Sequence, residues 1–164
     1  MKNVINVFEA IQQAQLRWEH GTNYGGFNAE IAKELGNERL GFHIETVDPG
    51  RFSCVYHSHT DKEELVIILD GEGTVRQNDE FFTVKRGDLV FYRTGSSHQM
   101  YNHSSVPLAF FIIANNSKQD VCTYPDSRKV MGPDRKIVQD GIEVKDYWKD
   151  EEDPRPFWPK DIVD

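Results

Sequence analysis

Three histidines and one glutamate stand out by type and spacing. His57 and His59 sit two apart in a strand-like run, so alternation places both imidazoles on one face. Glu64 follows five residues after His59 and opens the apolar run Leu65–Leu69, sharing a face with Val66 and Ile68. An ionised carboxylate facing an apolar interior is costly unless it is paired or bound to a metal. His98 opens a later strand-like run with Met100 and Asn102 on its face. Converged, the four side chains offer three imidazole nitrogens and one carboxylate, a donor set suited to a first-row divalent ion. Each residue also has an ordinary alternative: a surface or core histidine pair, a strand-edge glutamate, a histidine capping a turn. Glu63 competes with Glu64, and the parity with Val66 and Ile68 favours Glu64.

These residues must be held by strands. From residue 39 onward, short apolar runs alternate with turn signals. The runs are Arg39–Val47, Phe52–His59, Glu64–Leu69, Thr74–Gln77, Glu80–Val84, Leu89–Tyr92, His98–Asn102 and Pro107–Ala114. Asn78-Asp79 joins two of them as a tight hairpin, since both residue types tolerate positive φ. Many short strands at near-even spacing predict an all-β barrel or sandwich.

The flanks are less regular. In residues 1–38, Val4, Phe8, Ile11 and Trp18 recur at near-helical spacing, as do Phe27, Ile31 and Leu35 before Gly36. A short strand fits Leu16–His20 almost as well. Residues 116–164 are polar and punctuated by proline, ending in Trp148, Phe157 and Trp158 among acidic residues. This extension is expected to pack on the barrel or on a second subunit. The expected division is therefore 1–38, 39–115 and 116–164.

Composition narrows the class. The chain has 164 residues, enough for one domain with its own core. Its net charge is −8 and its basic residues form no run longer than two, as at Arg128-Lys129. Nucleic-acid binding and docking to anionic lipid are not expected. No apolar run approaches the ~18 residues of a membrane span. The N-terminal stretch is interrupted by Asn, Glu and Gln and does not read as a secretory signal, so a cytoplasmic location is expected. Cys54 and Cys122 are read as free thiols.

The motifs resemble those of the cupins. Gly50, six residues, His57-Ser58-His59, four residues, Glu64, six residues and Gly71 are similar to the first cupin motif (residues 50–71). Gly87, five residues, Arg93-Thr94-Gly95, two residues, His98, three residues and Asn102 are similar to the second (residues 87–102). Two departures stand out. Six residues separate Gly50 from His57 where five is usual, which suggests a looser turn or a bulge. Arg93 replaces the usual proline, where it either shapes the turn or reaches an anionic ligand at the barrel mouth. Asp120-Val121 and Tyr124-Pro125-Asp126-Ser127 also resemble a segment found after the barrel in a group of short single-domain cupins, which implies no particular reaction.

The resemblance implies a double-stranded β-helix, or jelly-roll, barrel holding one divalent ion (Fe, Mn, Zn, Ni or Cu) at His57, His59, Glu64 and His98. It also implies a small-molecule ligand and a homodimer. The function expected first is a metal-dependent isomerase or lyase acting on a small polar metabolite such as a sugar or a keto or hydroxy acid. A metal-dependent dioxygenase and a non-catalytic binding or sensing barrel are the alternatives, because one fold hosts all three. An isomerase or lyase also needs a proton-transfer group near the ion but not bound to it. His43, Glu63, Tyr101 and His103 are the residues considered for that role. Val66, Ile68, Met100, Phe110 or Phe111, and Tyr92 or Phe91 are the expected pocket walls, while Tyr56 is expected to be packing.

Overall fold

The computed structural model describes residues 4–13 and 16–164. The rest of the N-terminal segment, residues 1–3 and 14–15, lies outside the described residues. Helix α1 (Val7–Gln12) precedes a hairpin of β1 (Leu16–His20) and β2 (Tyr24–Ala29), and helix α2 (Ile31–Leu35) leads into β3 (Leu40–Val47). The barrel continues with β4 (Ser58–His59), β5 (Glu64–Asp70), β6 (Glu72–Gln77), β7 (Glu80–Lys85), β8 (Leu89–Tyr92), β9 (His98–Tyr101) and β10 (Leu108–Asn115). Four short strands follow: β11 (Cys122–Tyr124), β12 (Lys129–Met131), β13 (Ile137–Gln139) and β14 (Ile142–Val144). A 3₁₀ turn (Arg155–Phe157) and helix α3 (Lys160–Val163) end the chain.

The strands form an antiparallel sheet in the order β1-β2-β3-β10-β5-β8, a three-stranded sheet β7-β6-β9, and a five-stranded sheet β14-β13-β12-β11-β4. The first two enclose the core. Val47, Val66, Ile68, Val90, Leu108 and Phe110 on the larger sheet meet Val75, Val84 and Met100 on the smaller one. The protein is thus mostly β, a jelly-roll barrel with small helices. Among the described residues, no helix is long and apolar enough to cross a membrane.

Local chemistry explains the turns. Asn78 and Asp79 take φ of 49° and 63° between β6 and β7, as a two-residue hairpin requires. Gly71 has φ of 80°, and a Cβ there would lie 2.6 Å from the Pro107 carbonyl oxygen. Only glycine satisfies both conditions.

Three regions differ from the sequence reading. Leu16–His20 takes the strand alternative over the helical one. Tyr24–Ala29, whose Phe27 stands at helical spacing from Ile31, is a strand that joins the barrel sheet through β3, with Asn28 opposite Glu45. A Cβ at Gly26 would fall 1.7 Å from Thr46 O, so the absence of a side chain lets β2 lie this close. Phe52–His59 is not one continuous strand. Ser53 N donates to Met100 O and His57 N to His98 O, so four residues on one side face two on the other. The Gln99 side chain donates instead to Cys54 O at 2.7 Å, satisfying a carbonyl that the ladder leaves out. Finally, the C-terminal extension contains strands β11–β14, which its polar composition concealed.

That extension packs on the barrel. Trp158 meets Phe52, Phe81 and Tyr101 edge-on, with ring centroids at 5.3, 5.1 and 5.8 Å. Its Nε1 donates to Gln99 Oε1 at 2.8 Å. The Lys129 ammonium is fully buried and donates to the carbonyls of Tyr147 and Lys149, with Glu151 at 3.6 Å.

Candidate metal centre

His57 leaves the irregular segment beside β9, Glu64 starts β5 and His98 starts β9. One ligand atom from each lies within 4.8 Å of the others. His98 Nε2 is 2.9 Å from Glu64 Oε2, and the His57 and His98 ring centroids are 4.5 Å apart. His59 joins from β4 through Glu64, with Nε2 at 3.8 Å from Oε1, and stands outside the tighter group of three. Glu63 is exposed, and its N–H donates to the Asn115 side chain.

Each imidazole has an acceptor at Nδ1. His57 Nδ1 faces Val55 O at 2.9 Å, His98 Nδ1 faces Ser96 O at 3.0 Å, and His59 Nδ1 faces Asp120 Oδ2 at 2.6 Å. An Nδ1–H committed in this way leaves Nε2 as the free donor atom, an outer-shell arrangement that suits metal-ligating histidine. Tyr92 stacks flat on His98 at 3.8 Å and fixes the ring plane. His98 thus has an acceptor near each nitrogen, Ser96 O at Nδ1 and the Glu64 carboxylate at Nε2. The residues present fit a first-row divalent ion.

The electrostatics agree with the geometry. Burial, then the neighbouring His98, holds His57 down to about 3, so it is neutral and able to ligate. Burial pushes Glu64 up, but the His98 hydrogen bond and the surrounding imidazoles outweigh it and hold Glu64 at about 2. Burial likewise opposes Asp120, whose bond with His59 wins and keeps it below the usual carboxylate range.

A cavity of about 200 Å³ adjoins the centre. Val66, Tyr92, Met100, Phe110 and Ile112 form its apolar wall, so Phe110 and Tyr92 take the places left open against Phe111 and Phe91. Ile68 belongs to the barrel core and does not line it. Its polar side is His43, Glu45, Ser53, Cys54 and Gln99. Arg93 is exposed in a separate hollow with Gln77 and Phe91, which leaves it the turn role. Tyr101 is buried against Phe52 and Trp158, and His103 bonds Thr74. Neither lines the cavity. Tyr56 packs under the Arg76 guanidinium, its ring centroid 3.6 Å away.

Sequence reasoning missed Glu45, Asp120 as the partner of His59, and two thiols. Glu45 shares strand parity with His43, but Ile44 on the other face is buried as well, so parity alone does not single it out. Cys54 lines the cavity, with Sγ 3.7 Å from His57 Nδ1. Cys122 lies opposite His59 and forms a second group within 4.8 Å with His57 and His59. Both are free thiols. Burial raises the Cys122 thiol to about 11, which disfavours the thiolate that ligation needs.

Residues 43–114 match the family model described as Cupin domain. The chain is 30% identical over 81 residues to an uncharacterized protein of Methanocaldococcus jannaschii, covering 49% of this chain and 58% of that one. It therefore spans just over half the length of that relative. It is 25% identical over 109 residues to a Thermotoga maritima protein named as oxalate-binding, covering 63% of this chain and 90% of that one. Among solved structures, a putative sugar phosphate isomerase from Acidithiobacillus ferrooxidans superposes with a TM-score of 0.63 at 26% identity, over 73% of this chain and 74% of that one. A sugar phosphate isomerase of the cupin superfamily from Silicibacter pomeroyi superposes at 0.64 with 14% identity, over 81% and 87%, a likeness of fold. Residues 43–114, the core of the barrel, are a cupin domain.

Proposed function

We propose that the chain binds one divalent transition ion through His57, His59, Glu64 and His98 and acts as a metal-dependent isomerase or lyase on a small polar metabolite, such as a sugar or a keto or hydroxy acid. One observation carries the reading: each of the three Nδ1 atoms faces an acceptor, which aims the Nε2 atoms toward the Glu64 carboxylate beside a cavity. An ion held by His57, His59, Glu64 and His98 would supply Lewis acidity toward a carbonyl oxygen. Asp120 keeps the His59 ring oriented, and Tyr92 does so for His98. The apolar wall excludes bulk water and strengthens the electrostatics inside. A volume of about 200 Å³ is below that of drug-sized pockets, ~300–1,000 Å³, and suits a substrate of a few carbons. The likeness to a putative sugar phosphate isomerase supports this class.

The name of the Thermotoga maritima relative favours a second reading, a barrel that binds a small dicarboxylate without turnover. Elemental analysis of untagged protein tests the metal. One ion per chain supports the proposal, and protein that takes up none at pH 7.5 refutes it. Turnover of a sugar or keto acid by the loaded protein supports the enzyme. Calorimetric binding without turnover supports the carrier. Association as a homodimer is part of the proposal, supported by Leu89 and Phe91 exposed on edge strand β8. A light-scattering mass of one chain at micromolar concentration would refute it.

A further inference from the structure

Glu45 is the acidic group of the pocket that the metal reading leaves unused. It sits mid-strand on β3, opposite Phe110 of β10 and between His43 and Val47 in parity, so its side chain faces the barrel interior. It is 9% exposed and lines the same cavity as His57, Glu64 and His98. Its Oε1 is buried without a hydrogen-bond partner among the described residues. Its Oε2 is 3.7 Å from His43 Nε2, and His43 is 38% exposed. A buried acceptor without a donor costs free energy in a folded protein. This one is placed where a ligand in the cavity would meet it, with an imidazole leading toward solvent behind it. Burial holds the carboxyl above its ordinary range, and His43 opposes the shift only in part. A carboxyl held above its ordinary range is a better proton acceptor than an ordinary one, as acid–base catalysis requires.

We propose that Glu45 is the proton-transfer residue of this pocket, acting on a small α-hydroxy or α-keto carbonyl compound held beside His57, Glu64 and His98. The Glu45 carboxylate takes the proton from the carbon next to the carbonyl. The C–H bond breaks, its electron pair becomes the C=C bond of the enolate, and the carbonyl π pair moves onto oxygen. The new O–H bond on Glu45 then breaks as the proton returns to the same carbon. In an α-hydroxy compound it can instead go to the former carbonyl carbon, where the C=C pair forms the new C–H bond. The hydroxyl proton then passes to the former carbonyl oxygen, and the hydroxyl oxygen becomes the new carbonyl. No oxidant or reductant is consumed. His43 is a positioning residue that links Glu45 to solvent, where the held proton can exchange. The inference rests on the metal-dependent isomerase or lyase reading and adds to it the substrate class and the base.

The test is deuterium uptake from D₂O, read by mass spectrometry. Full-length protein is loaded in turn with Zn²⁺, Mn²⁺ and Fe²⁺ and supplied with glyceraldehyde, dihydroxyacetone and pyruvate. The parent is expected to place deuterium on the carbon next to the carbonyl. Glu45→Gln is expected to bind the same amount of metal and to slow uptake at least ~100-fold, as loss of a general base does. A second readout needs neither metal nor turnover: a ¹³C titration of the side-chain carboxyls in metal-free protein. One carboxyl is expected to titrate above the ordinary range and to be missing from Glu45→Gln. Equal uptake by parent and variant, no uptake from any of the three compounds by metal-loaded parent, or no such carboxyl in the titration would each overturn the role of Glu45. A parent that takes up no metal fails the earlier reading instead, and the titration still decides for or against Glu45.

Discussion

Asp120 Oδ2 lies 2.6 Å from His59 Nδ1, joining residues 61 apart in the chain and reaching from the segment after the barrel into the candidate centre. The same carboxylate accepts from Asp61 N at 3.1 Å through its other oxygen and has Lys62 Nζ at 3.7 Å. It therefore holds the ring without leaving its own charge unpaired. Replacement by asparagine keeps the shape and removes the charge. Asp120→Asn is expected to lower metal affinity by ~10–100-fold, the usual cost of an outer-shell partner. Competition titration against a chromophoric chelator checks it, and unchanged affinity would show that His59 orients without Asp120.

Ion binding should also be visible as stability. A ligand at ~100 times its dissociation constant adds about 2.7 kcal/mol to the native state. At ~2–4 °C per kcal/mol for a domain of this size, chelation is expected to lower the melting temperature by roughly 5–10 °C. Glu64→Gln should melt at the same temperature with and without chelator. Differential scanning fluorimetry separates the two outcomes.

Trp158 ties the C-terminal extension to the centre. It packs on Phe52, Phe81 and Tyr101, and its indole N–H donates to Gln99, whose amide in turn donates to Cys54 O, three residues before His57. Trp158→Ala removes a large buried ring and leaves the Gln99 oxygen without its donor. The expected loss is ~3–5 kcal/mol in urea unfolding. Trp158→Phe should recover part of the packing and none of the hydrogen bond.

Glu45 gives the metal-free protein a pH-dependent weakness. Its folded value is raised by burial, so the folded state holds this proton more tightly than the unfolded chain. The parent therefore loses stability as pH rises from the ordinary carboxylate range through the raised value. Glu45→Gln cannot ionise and escapes this loss. Its unfolding midpoint relative to the parent is expected to climb from pH 4 to pH 8, by urea titration at each pH. A difference independent of pH would mean that the two states hold the proton equally.

Much of this protein is legible in one dimension. The two-residue period that puts His57 with His59, and Glu64 with Val66, is a property of any extended strand, so the facing of these side chains follows from their order alone. Asn78-Asp79 and Gly71 mark turns for equally local reasons, since positive φ is a preference of the residue itself. Most strands along residues 39–115, though not a continuous Phe52–His59, and the choice of Glu64 over Glu63 follow from the same alternation.

What depended on tertiary structure involves contacts distant in sequence. Tyr24–Ala29 becomes a strand because Gly26 lets β2 lie against β3, whose partner residues are distant in the chain, as Phe27 is from Thr46, 19 residues away. The extension after residue 115 hides β11–β14 because its polar side chains find partners within the protein, as Lys129 does with two carbonyls and Glu151. Asp120 gave no local sign of its role, since an acidic residue in a polar loop is ordinary until His59 is beside it. Glu45 is the clearest case. Ile44 and Glu45 are both buried, so β3 is covered on both faces and alternation alone does not say which face is the pocket. Sequence order sets which side chains share a face, but only the packing of β3 between β2 and β10 determines what that face meets.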